Sequence, residues 1–253
     1  DGEEIWKTTA HKKKTREKSA NSPLVVRDYV VFCDDFFTVY EAKKGGIVTT
    51  KNIGSEPHVN TGPCTDGELL YIPINRKIET ISLDTMETTG EYVVRSKIAS
   101  GPVLFKNQLV VGLNDSSIEI MCTKKEGLSW NYIFSKRECK LVLSRPACAY
   151  DMLFAADPFG MIYGFSMNTG HLLWEHHYFE RIDSPLLVNN NKLIVTGNEY
   201  LFALTTDGGN FVWERGYDSR KVTFPVISSP AIIKDYLFVG RDKLYAFRST
   251  GSS

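Results

Sequence analysis

Two adjacent histidines, His176 and His177, are the first residues whose types suggest chemistry, because imidazole is a common metal ligand. Neighbouring residues of a β-strand point to opposite faces, so these two rings are not expected to converge on one ion. We interpret the pair as surface residues at the end of a strand. The sequence therefore predicts no metal site here.

Aspartates recur at a second kind of position, the turn between the second and third strands of a repeated unit. They are Asp34, Asp35, Asp115, Asp157 and Asp242. Carboxylates gathered at one mouth of a ring-shaped fold are suitable cation ligands. Aspartate also stabilises turns by bonding to nearby backbone amides. We favour that simpler role and predict neither metal nor cofactor.

Other signals of chemistry are absent from the sequence. It contains no GxSxG, no HExxH and no P-loop motif. The five cysteines show no CxxC spacing and lie in apolar contexts, which predicts buried thiols and leaves one disulfide as an alternative. They are Cys33, Cys64, Cys122, Cys139 and Cys148. The formal net charge is +0, so no global field favours nucleic acid or a membrane.

The elements that would position such residues repeat along the chain. Each copy begins at one of six prolines: Pro23, Pro63, Pro102, Pro146, Pro185 and Pro230. A copy spans about 41 residues and contains short apolar runs separated by Asn, Asp and Gly turns, which is typical of strands in a meander. Four strands in every copy of this length indicate a propeller blade.

The sequence therefore predicts an all-β fold, a six-bladed β-propeller of four-stranded antiparallel blades in a single domain over residues 1–253. The blades are expected at about residues 22–59, 60–99, 100–142, 143–181, 182–222 and 223–253, the last completed by residues 1–10. The last copy stops at Gly251 before any tryptophan, whereas Gly2 to Trp6 supplies the missing strand. The ring would thus close and lose two open sheet edges.

A glycine followed four residues later by tryptophan, as in Gly170 to Trp174, resembles the pyrroloquinoline-quinone-like (PQQ-like) propeller repeat. The resemblance covers essentially the whole chain. It implies that tryptophans dock between neighbouring blades, here Trp6, Trp130, Trp174 and Trp213. Two blades depart from the pattern, with Val48 and Tyr92 near the docking site, so their packing should differ.

The family resembled here includes quinoprotein dehydrogenases and the outer-membrane assembly lipoprotein of the Bam complex. The dehydrogenases carry eight blades, adjacent cysteines, a calcium site and a catalytic aspartate, and this sequence offers no match to these features. The central channel is expected to be apolar. Its candidate lining residues are Val25, Cys64, Val103, Ala147, Leu186 and Ala231. We therefore assign no catalytic residue and no cofactor.

Positive charge is concentrated in the D–A connections, which join the fourth strand of one blade to the first strand of the next. By sequence they hold about nine more Lys and Arg than Asp and Glu. We predict that this face binds an acidic protein segment, an anionic glycan or a lipid headgroup; the alternative is a set of solvated loops. The predicted partner-binding residues are Lys12, Lys13, Lys14, Arg16, Arg95, Lys97, Lys136, Arg137, His177, Arg181, Arg220 and Lys221. Few aromatic residues accompany them, so nucleic acid is not expected.

The predicted function is a non-catalytic protein-interaction scaffold associated with the cell envelope. Two alternatives remain open: a ligand-sensing ectodomain of a receptor or kinase, and a lyase or hydrolase acting at the central mouth of the propeller. The family resemblance favours an extracytoplasmic location, in the periplasm or at the cell surface. Unpatterned cysteines fit the reducing cytoplasm, which is the alternative. No apolar run is long enough to span a membrane.

Overall fold

The computed structural model describes residues 3–8, 23–33, 36–53, 62–124, 128–133, 144–178, 181–182, 184–216, 230–234, 236–240 and 244–248. These residues form strands and turns, and the strands make six antiparallel sheets. The predicted all-β architecture of repeated antiparallel sheets is confirmed. Within the described ranges no helix has the length and apolar character needed to cross a membrane.

The first three sheets lie in chain order and have four strands each. Sheet 1 contains β1 (Leu24–Val26), β2 (Tyr29–Cys33), β3 (Phe36–Glu41) and β4 (Ile47–Asn52). Sheet 2 contains β5 (Cys64–Thr65), β6 (Leu69–Ile74), β7 (Lys77–Ser82) and β8 (Thr88–Val93). Sheet 3 contains β9 (Val103–Phe105), β10 (Gln108–Leu113), β11 (Ser117–Cys122) and β12 (Leu128–Ile133).

The last three sheets continue the same order, and the final one has three described strands. Sheet 4 contains β13 (Ala147–Ala149), β14 (Met152–Ala156), β15 (Met161–Ser166) and β16 (Leu172–His177). Sheet 5 contains β17 (Leu187–Asn189), β18 (Lys192–Thr196), β19 (Tyr200–Thr205) and β20 (Phe211–Gly216). Sheet 6 contains β21 (Ala231–Ile233), β22 (Tyr236–Gly240) and β23 (Leu244–Arg248).

Tight turns join the first two strands of most sheets. In sheet 5, Asn189 pairs with Lys192, so the turn consists of Asn190 and Asn191 alone. Their φ angles are 47° and 57°, a left-handed conformation that asparagine tolerates and that two-residue hairpins require. The turn of sheet 2 is longer, and in it the Asp66 carboxylate accepts hydrogen bonds from two backbone amides.

A β-bulge recurs at one register in the fourth strand of sheets 1–5 and identifies equivalent residues. The residue just beyond each bulge, here called the docking position, pairs with the third strand of its own sheet. The docking positions are held by Thr49, Gly90, Trp130, Trp174 and Trp213. Thr49 and Gly90, rather than Val48 and Tyr92, therefore stand in register with the tryptophans.

Apolar side chains fill the space between each sheet and the next. Five buried clusters join sheet 1 to sheet 2, sheet 2 to sheet 3, and so on to sheet 6. Representative pairs across these junctions are Phe37 with Leu70, Ile78 with Leu109, Ile120 with Phe165, Phe154 with Phe202, and Ala203 with Leu237. A sheet with two apolar faces needs a neighbouring sheet on each side. The stack supplies both neighbours for sheets 2–5.

The two ends of the stack present apolar side chains to solvent. Val25 of sheet 1 is 67% exposed, and Ile233 and Leu244 of sheet 6 are 63% and 74% exposed. Among the described residues nothing pairs with the outer edge of β23, and residues 3–8 form no strand.

Candidate protein-interaction site

The junction of sheets 3 and 4 shows how a tryptophan joins neighbouring sheets. The Nε1 atom of Trp130 donates a 2.8 Å hydrogen bond to the carbonyl oxygen of Met167 in the next sheet. Its ring lies over Gly170, where an added Cβ would stand 2.7 Å from the ring atom Cδ2. Gly170 has a φ of 72°, so both its conformation and this contact favour glycine. We call this combination of turn carbonyl and turn glycine a socket.

Trp174 occupies an equivalent socket between sheets 4 and 5. Its Nε1 donates a 3.0 Å hydrogen bond to the carbonyl oxygen of Thr206, and its ring lies against Gly209. Gly164, which pairs with Trp174 on its own sheet, is close on the other side, because a Cβ there would lie 2.3 Å from Cε2 of the indole. The buried indole therefore fixes the spacing of two sheets through one polar contact and two backbone contacts.

Trp6 fills a third socket although its segment is not a strand. Its Nε1 donates a 2.8 Å hydrogen bond to the carbonyl oxygen of Ala42, and its ring lies over Gly45, which has a φ of 70°. The indole also stacks on Tyr40, with ring centroids 6.2 Å apart. Ala42 and Gly45 hold the same turn positions as the socket residues of sheets 4 and 5. A socket thus holds a tryptophan from an extended segment without strand pairing.

Trp213, between sheets 5 and 6, differs from the other tryptophans. Its ring packs with the cluster that includes Leu237 and Val239 of sheet 6. Its buried Nε1 has no hydrogen-bond partner among the residues that the structure describes. The turn that follows β23, which corresponds to the socket turns of the other sheets, begins at residue 249 and lies outside the described residues.

Sheets 1 and 2 are joined by side-chain ion pairs instead of an indole, since Thr49 holds the docking position. Glu79 of β7 is buried, with 6% exposure, and pairs with Lys51 of sheet 1. Lys77 also binds Glu79, at 2.8 Å, and reaches Glu91 at 3.0 Å. A buried carboxylate stays charged only where such partners replace water, so this network contributes to the junction.

Sheets 2 and 3 meet at Gly90, which leaves the docking position without a side chain. Tyr92 donates a long hydrogen bond, 3.4 Å, to the carbonyl oxygen of Thr123. Thr123 directly follows the third strand of sheet 3, the turn position that Met167 holds in sheet 4. Beyond the strand, Arg95 pairs with the buried Glu119 at 3.2 Å. The turn acceptor is therefore retained here while the indole is missing.

The two buried glutamates, which hold equivalent positions in β7 and β11, have opposite pKa shifts. Burial acts to raise the pKa of Glu79, but its hydrogen bonds with Lys51 and Lys77 outweigh burial and hold the pKa below its usual value. Burial likewise raises the pKa of Glu119, and the single cation Arg95 does not compensate, so this pKa lies above its usual value. Two cations act on Glu79, whereas Glu119 has one cation and the neighbouring carboxylate of Asp115, which raises its pKa further.

A cleft of about 930 Å³ opens between sheets 2 and 3 beside the vacant docking position. Its volume lies in the range typical of ligand sites. Thr80, Thr89 and Gly90 form part of one wall, and Met121 and Thr123 form part of the other. Charged residues of the lining are Arg76, Glu91, Arg95, Glu119 and Lys124. The sequence signal for this site was the tryptophan missing from the second repeat.

Most of the predicted partner-binding residues lie outside the described residues. These are Lys12, Lys13, Lys14, Arg16, Lys136, Arg137, Arg220 and Lys221. Arg95 and Lys97 are described and lie in the connection from sheet 2 to sheet 3. Besides Glu119, Arg95 faces Asp115 at 3.3 Å. Its guanidinium is thus already engaged by two carboxylates of the next sheet.

His177 and Arg181 are the other described members of this set. His177 ends β16, and its Nε2 lies 2.9 Å from the carbonyl oxygen of Phe159. His176 contacts a different carbonyl, that of Gly208, at 3.0 Å. The two imidazoles thus contact backbone groups in two different turns. Arg181 lies exposed in the connection that follows.

The described aspartates of the second-to-third strand turns act within those turns. The Asp157 carboxylate accepts hydrogen bonds from the backbone amides of Phe159 and Met161, at 2.8 Å and 3.0 Å. Asp115 bonds the Ser117 hydroxyl. Asp34, Asp35 and Asp242 lie outside the described residues. In the described part of the chain, no three His, Cys, Asp or Glu side chains are grouped so as to hold a metal ion.

The first strands carry one charged group that sequence reasoning missed. Arg145, just ahead of β13, donates a 3.0 Å hydrogen bond to the carbonyl oxygen of Pro102, ahead of β9. Burial lowers its pKa. Burial also raises the pKa of the nearby Cys64 thiol to about 12, and that of Cys148 to about 12. These thiols are therefore poor nucleophiles at neutral pH.

Comparisons with known proteins agree with this geometry. A family model described as outer membrane protein assembly factor BamB matches residues 87–253. BamB from Moraxella catarrhalis is similar in structure, with a TM-score of 0.63 and 16% identity over 88% of this chain and 68% of that one. No curated protein sequence matches significantly.

Two further solved structures share the fold. The computationally designed Ika8 protein has a TM-score of 0.70 and 11% identity, over 89% of this chain and 70% of that one. A chain of the mitotic checkpoint complex has a TM-score of 0.69 and 12% identity, over 87% of this chain and 70% of that one. At such identities the likeness shows the fold alone.

Substituting a socket glycine tests the contact with the indole. Gly170→Ala is expected to lower the free energy of unfolding by about 1–3 kcal/mol more than Gly67→Ala. Both glycines have positive φ, but a Cβ at Gly67 meets nothing within 4 Å, whereas at Gly170 it meets Trp130. Urea denaturation of the two variants measures the difference. Equal losses would mean that the indole does not rest on Gly170.

The ion network at Glu79 predicts a pH-dependent contribution to stability. Because the folded pKa of Glu79 is lowered, its contribution is present above the unfolded pKa of about 4.3 and is lost as pH falls through the folded pKa. Glu79→Gln should cost about 1–2 kcal/mol at neutral pH, a value reduced because both lysines are partly exposed. Thermal unfolding at several pH values measures it.

Glu119→Gln is the matched control for that experiment. Its pKa is raised, so the wild-type advantage over this variant should shrink as pH rises from about 4 to 7. The two variants should therefore show opposite pH trends. Parallel trends would contradict the assignment of partners to the two glutamates.

Proposed function

Because this chain belongs to the family of the outer membrane protein assembly factor BamB, we propose that it acts as a non-catalytic protein-interaction scaffold. The family match over residues 87–253 is the observation that carries the proposal. The stacked sheets support it, since their buried clusters hold the turns and connections in fixed relative positions. Such a platform suits the binding of extended protein segments.

The scaffold is proposed to be a closed ring of six blades. Trp6 in the socket of sheet 1 supports this, because in every other such junction the tryptophan comes from the preceding sheet. The sheet before sheet 1 in a ring is sheet 6, whose outer face is apolar and exposed. In the register of sheet 5, where Ala203 pairs with Trp213, Trp6 would stand opposite Ala246. Closure would bury Val25, Ile233 and Leu244 and remove an open edge.

The partner is proposed to be acidic or anionic and to dock on the D–A connections. Their sequences carry about nine more cationic than anionic residues, and Lys97 and Arg181 lie in the described parts of these connections. An envelope-associated, extracytoplasmic location is proposed because the family is named for an outer membrane assembly factor.

Charge reversal tests the basic face. The variant with Lys12, Lys13, Lys14 and Arg16 all changed to Glu should bind a fluorescein-labelled octaglutamate peptide at least about tenfold more weakly than the wild type at low salt. The reason is the loss of long-range attraction, so the difference should shrink as ionic strength rises. Fluorescence anisotropy measures the dissociation constants.

The matched control reverses lysines at turns on the opposite face. These are Lys43, Lys44, Lys192 and Lys234. This variant has the same net charge as the first, and its affinity for the peptide should exceed that of the first variant severalfold. Equal weakening by the two variants, or none by either, would refute a basic D–A face.

A further inference from the structure

Between sheets 2 and 3 the docking position lacks an indole, although the turn carbonyl that would accept its N–H is present. At the docking position Gly90 pairs with Thr80, as Trp130 pairs with Ile120 one sheet later. The turn acceptor is the carbonyl oxygen of Thr123, to which Tyr92 donates a long hydrogen bond. A carbonyl oxygen has two lone pairs, so Thr123 can accept a second donor.

Space for a ring is present beside Gly90. The cleft between sheets 2 and 3 has a volume of about 930 Å³ and runs along β8. A Cβ at Gly90 would have the Thr80 hydroxyl oxygen as its nearest neighbour, at 3.4 Å, an ordinary contact. Its φ is not among the positive values. The backbone at Gly90 would therefore accept a side chain, and the docking position lacks an indole only because the residue there is glycine.

The chain itself shows what can bind at such a turn carbonyl. Trp6 is inserted into the socket of sheet 1 from an extended segment that forms no strand. Glu3 and Glu4 precede it and are exposed. The exposed cations Arg76 and Lys124 line the cleft between sheets 2 and 3. Acidic residues ahead of an inserted tryptophan would be attracted by these charges.

We propose that the cleft between sheets 2 and 3 binds a tryptophan of an extended acidic segment of a partner protein. The indole packs on Gly90 and Met121 and donates its N–H to the carbonyl oxygen of Thr123. Carboxylates that precede the tryptophan in the segment are attracted by Arg76 and Lys124. The inference rests on the proposed scaffold function in needing a protein partner. Arg95 of the predicted basic loops lines the cleft, but the proposed contacts do not include Lys12, Lys13, Lys14 or Arg16.

A peptide copied from this chain is a suitable probe. Residues 2–8, GEEIWKT, with acetylated and amidated ends, contain a tryptophan that a socket already accepts. Titrated into the full chain, this peptide should bind with a dissociation constant below about 1 mM, and the peptide with alanine in place of tryptophan should bind at least about tenfold more weakly. No binding of the tryptophan peptide at millimolar concentration would overturn the proposal.

A variant whose own side chain fills the cleft tests whether the peptide binds there. Gly90→Trp places an indole in the docking position from within, so it should raise the thermal unfolding midpoint and weaken peptide binding at least about tenfold. Thr49→Trp is the matched control, because it places an indole at the docking position of sheet 1 and leaves the cleft between sheets 2 and 3 open. It should bind the peptide within about twofold of the wild type. Equal peptide affinity for Gly90→Trp and the wild type would overturn the proposal.

Charge reversal keeps the test decisive if the tryptophan variant does not fold. Arg76→Glu with Lys124→Glu changes only exposed side chains and should weaken the peptide by about fivefold or more at low salt. Unchanged affinity would contradict the proposed attraction. The quadruple variant at Lys12, Lys13, Lys14 and Arg16 should leave binding of this peptide within about twofold. Failure of the cleft proposal is thereby distinguished from failure of the basic-face proposal.

Discussion

A hydrogen bond from an indole N–H to a turn carbonyl of the next sheet defines the spacing of sheets 3, 4 and 5. In each socket a glycine stands three residues after the carbonyl, where the ring approaches the turn backbone closely. This arrangement holds for Trp6, Trp130 and Trp174. The apolar clusters supply most of the buried area, but they are not directional. The sockets add directional contacts that position sheets 3, 4 and 5 against one another.

Where another residue replaces the indole, both the polarity and the shape of the junction between two sheets differ. Between sheets 1 and 2, Lys51 and Glu79 make a charged contact that depends on pH. Between sheets 2 and 3, Arg95 and Glu119 make a second one, and Gly90 leaves a cleft. The first three sheets therefore differ from the last three in the polarity of their junctions. A scaffold built from one repeat thus acquires a distinctive surface at the place where the repeat is broken.

Much of this architecture follows from sequence because strands and turns are local. The prolines, the two-residue turns and the alternating runs predict antiparallel sheets, and Asn190 with Asn191 forms such a turn. The residue at each docking position is harder to predict. In sheet 2 Met86, with a φ of 58°, takes the left-handed turn position that glycine holds in sheets 1, 4 and 5, so no glycine marks the turn. Gly90, not Tyr92, then takes the tryptophan's place. Glu79, Glu119 and Arg145 were missed because their partners lie in other sheets or other repeats. No local pattern indicates that a glutamate in a β-strand will meet a lysine some 28 residues earlier.

Backbone hydrogen exchange at β23 tests closure of the ring most directly. The rates for residues 244–248 are compared between the full chain and a chain that lacks residues 1–8, with β14 and β15 of sheet 4 as an internal reference. If Trp6 and its neighbours complete the sixth sheet, the outward-facing amides of β23 are protected in the full chain. They then exchange at least about tenfold faster after truncation while sheet 4 is unchanged. Identical exchange of β23 in the two chains would contradict a closed ring.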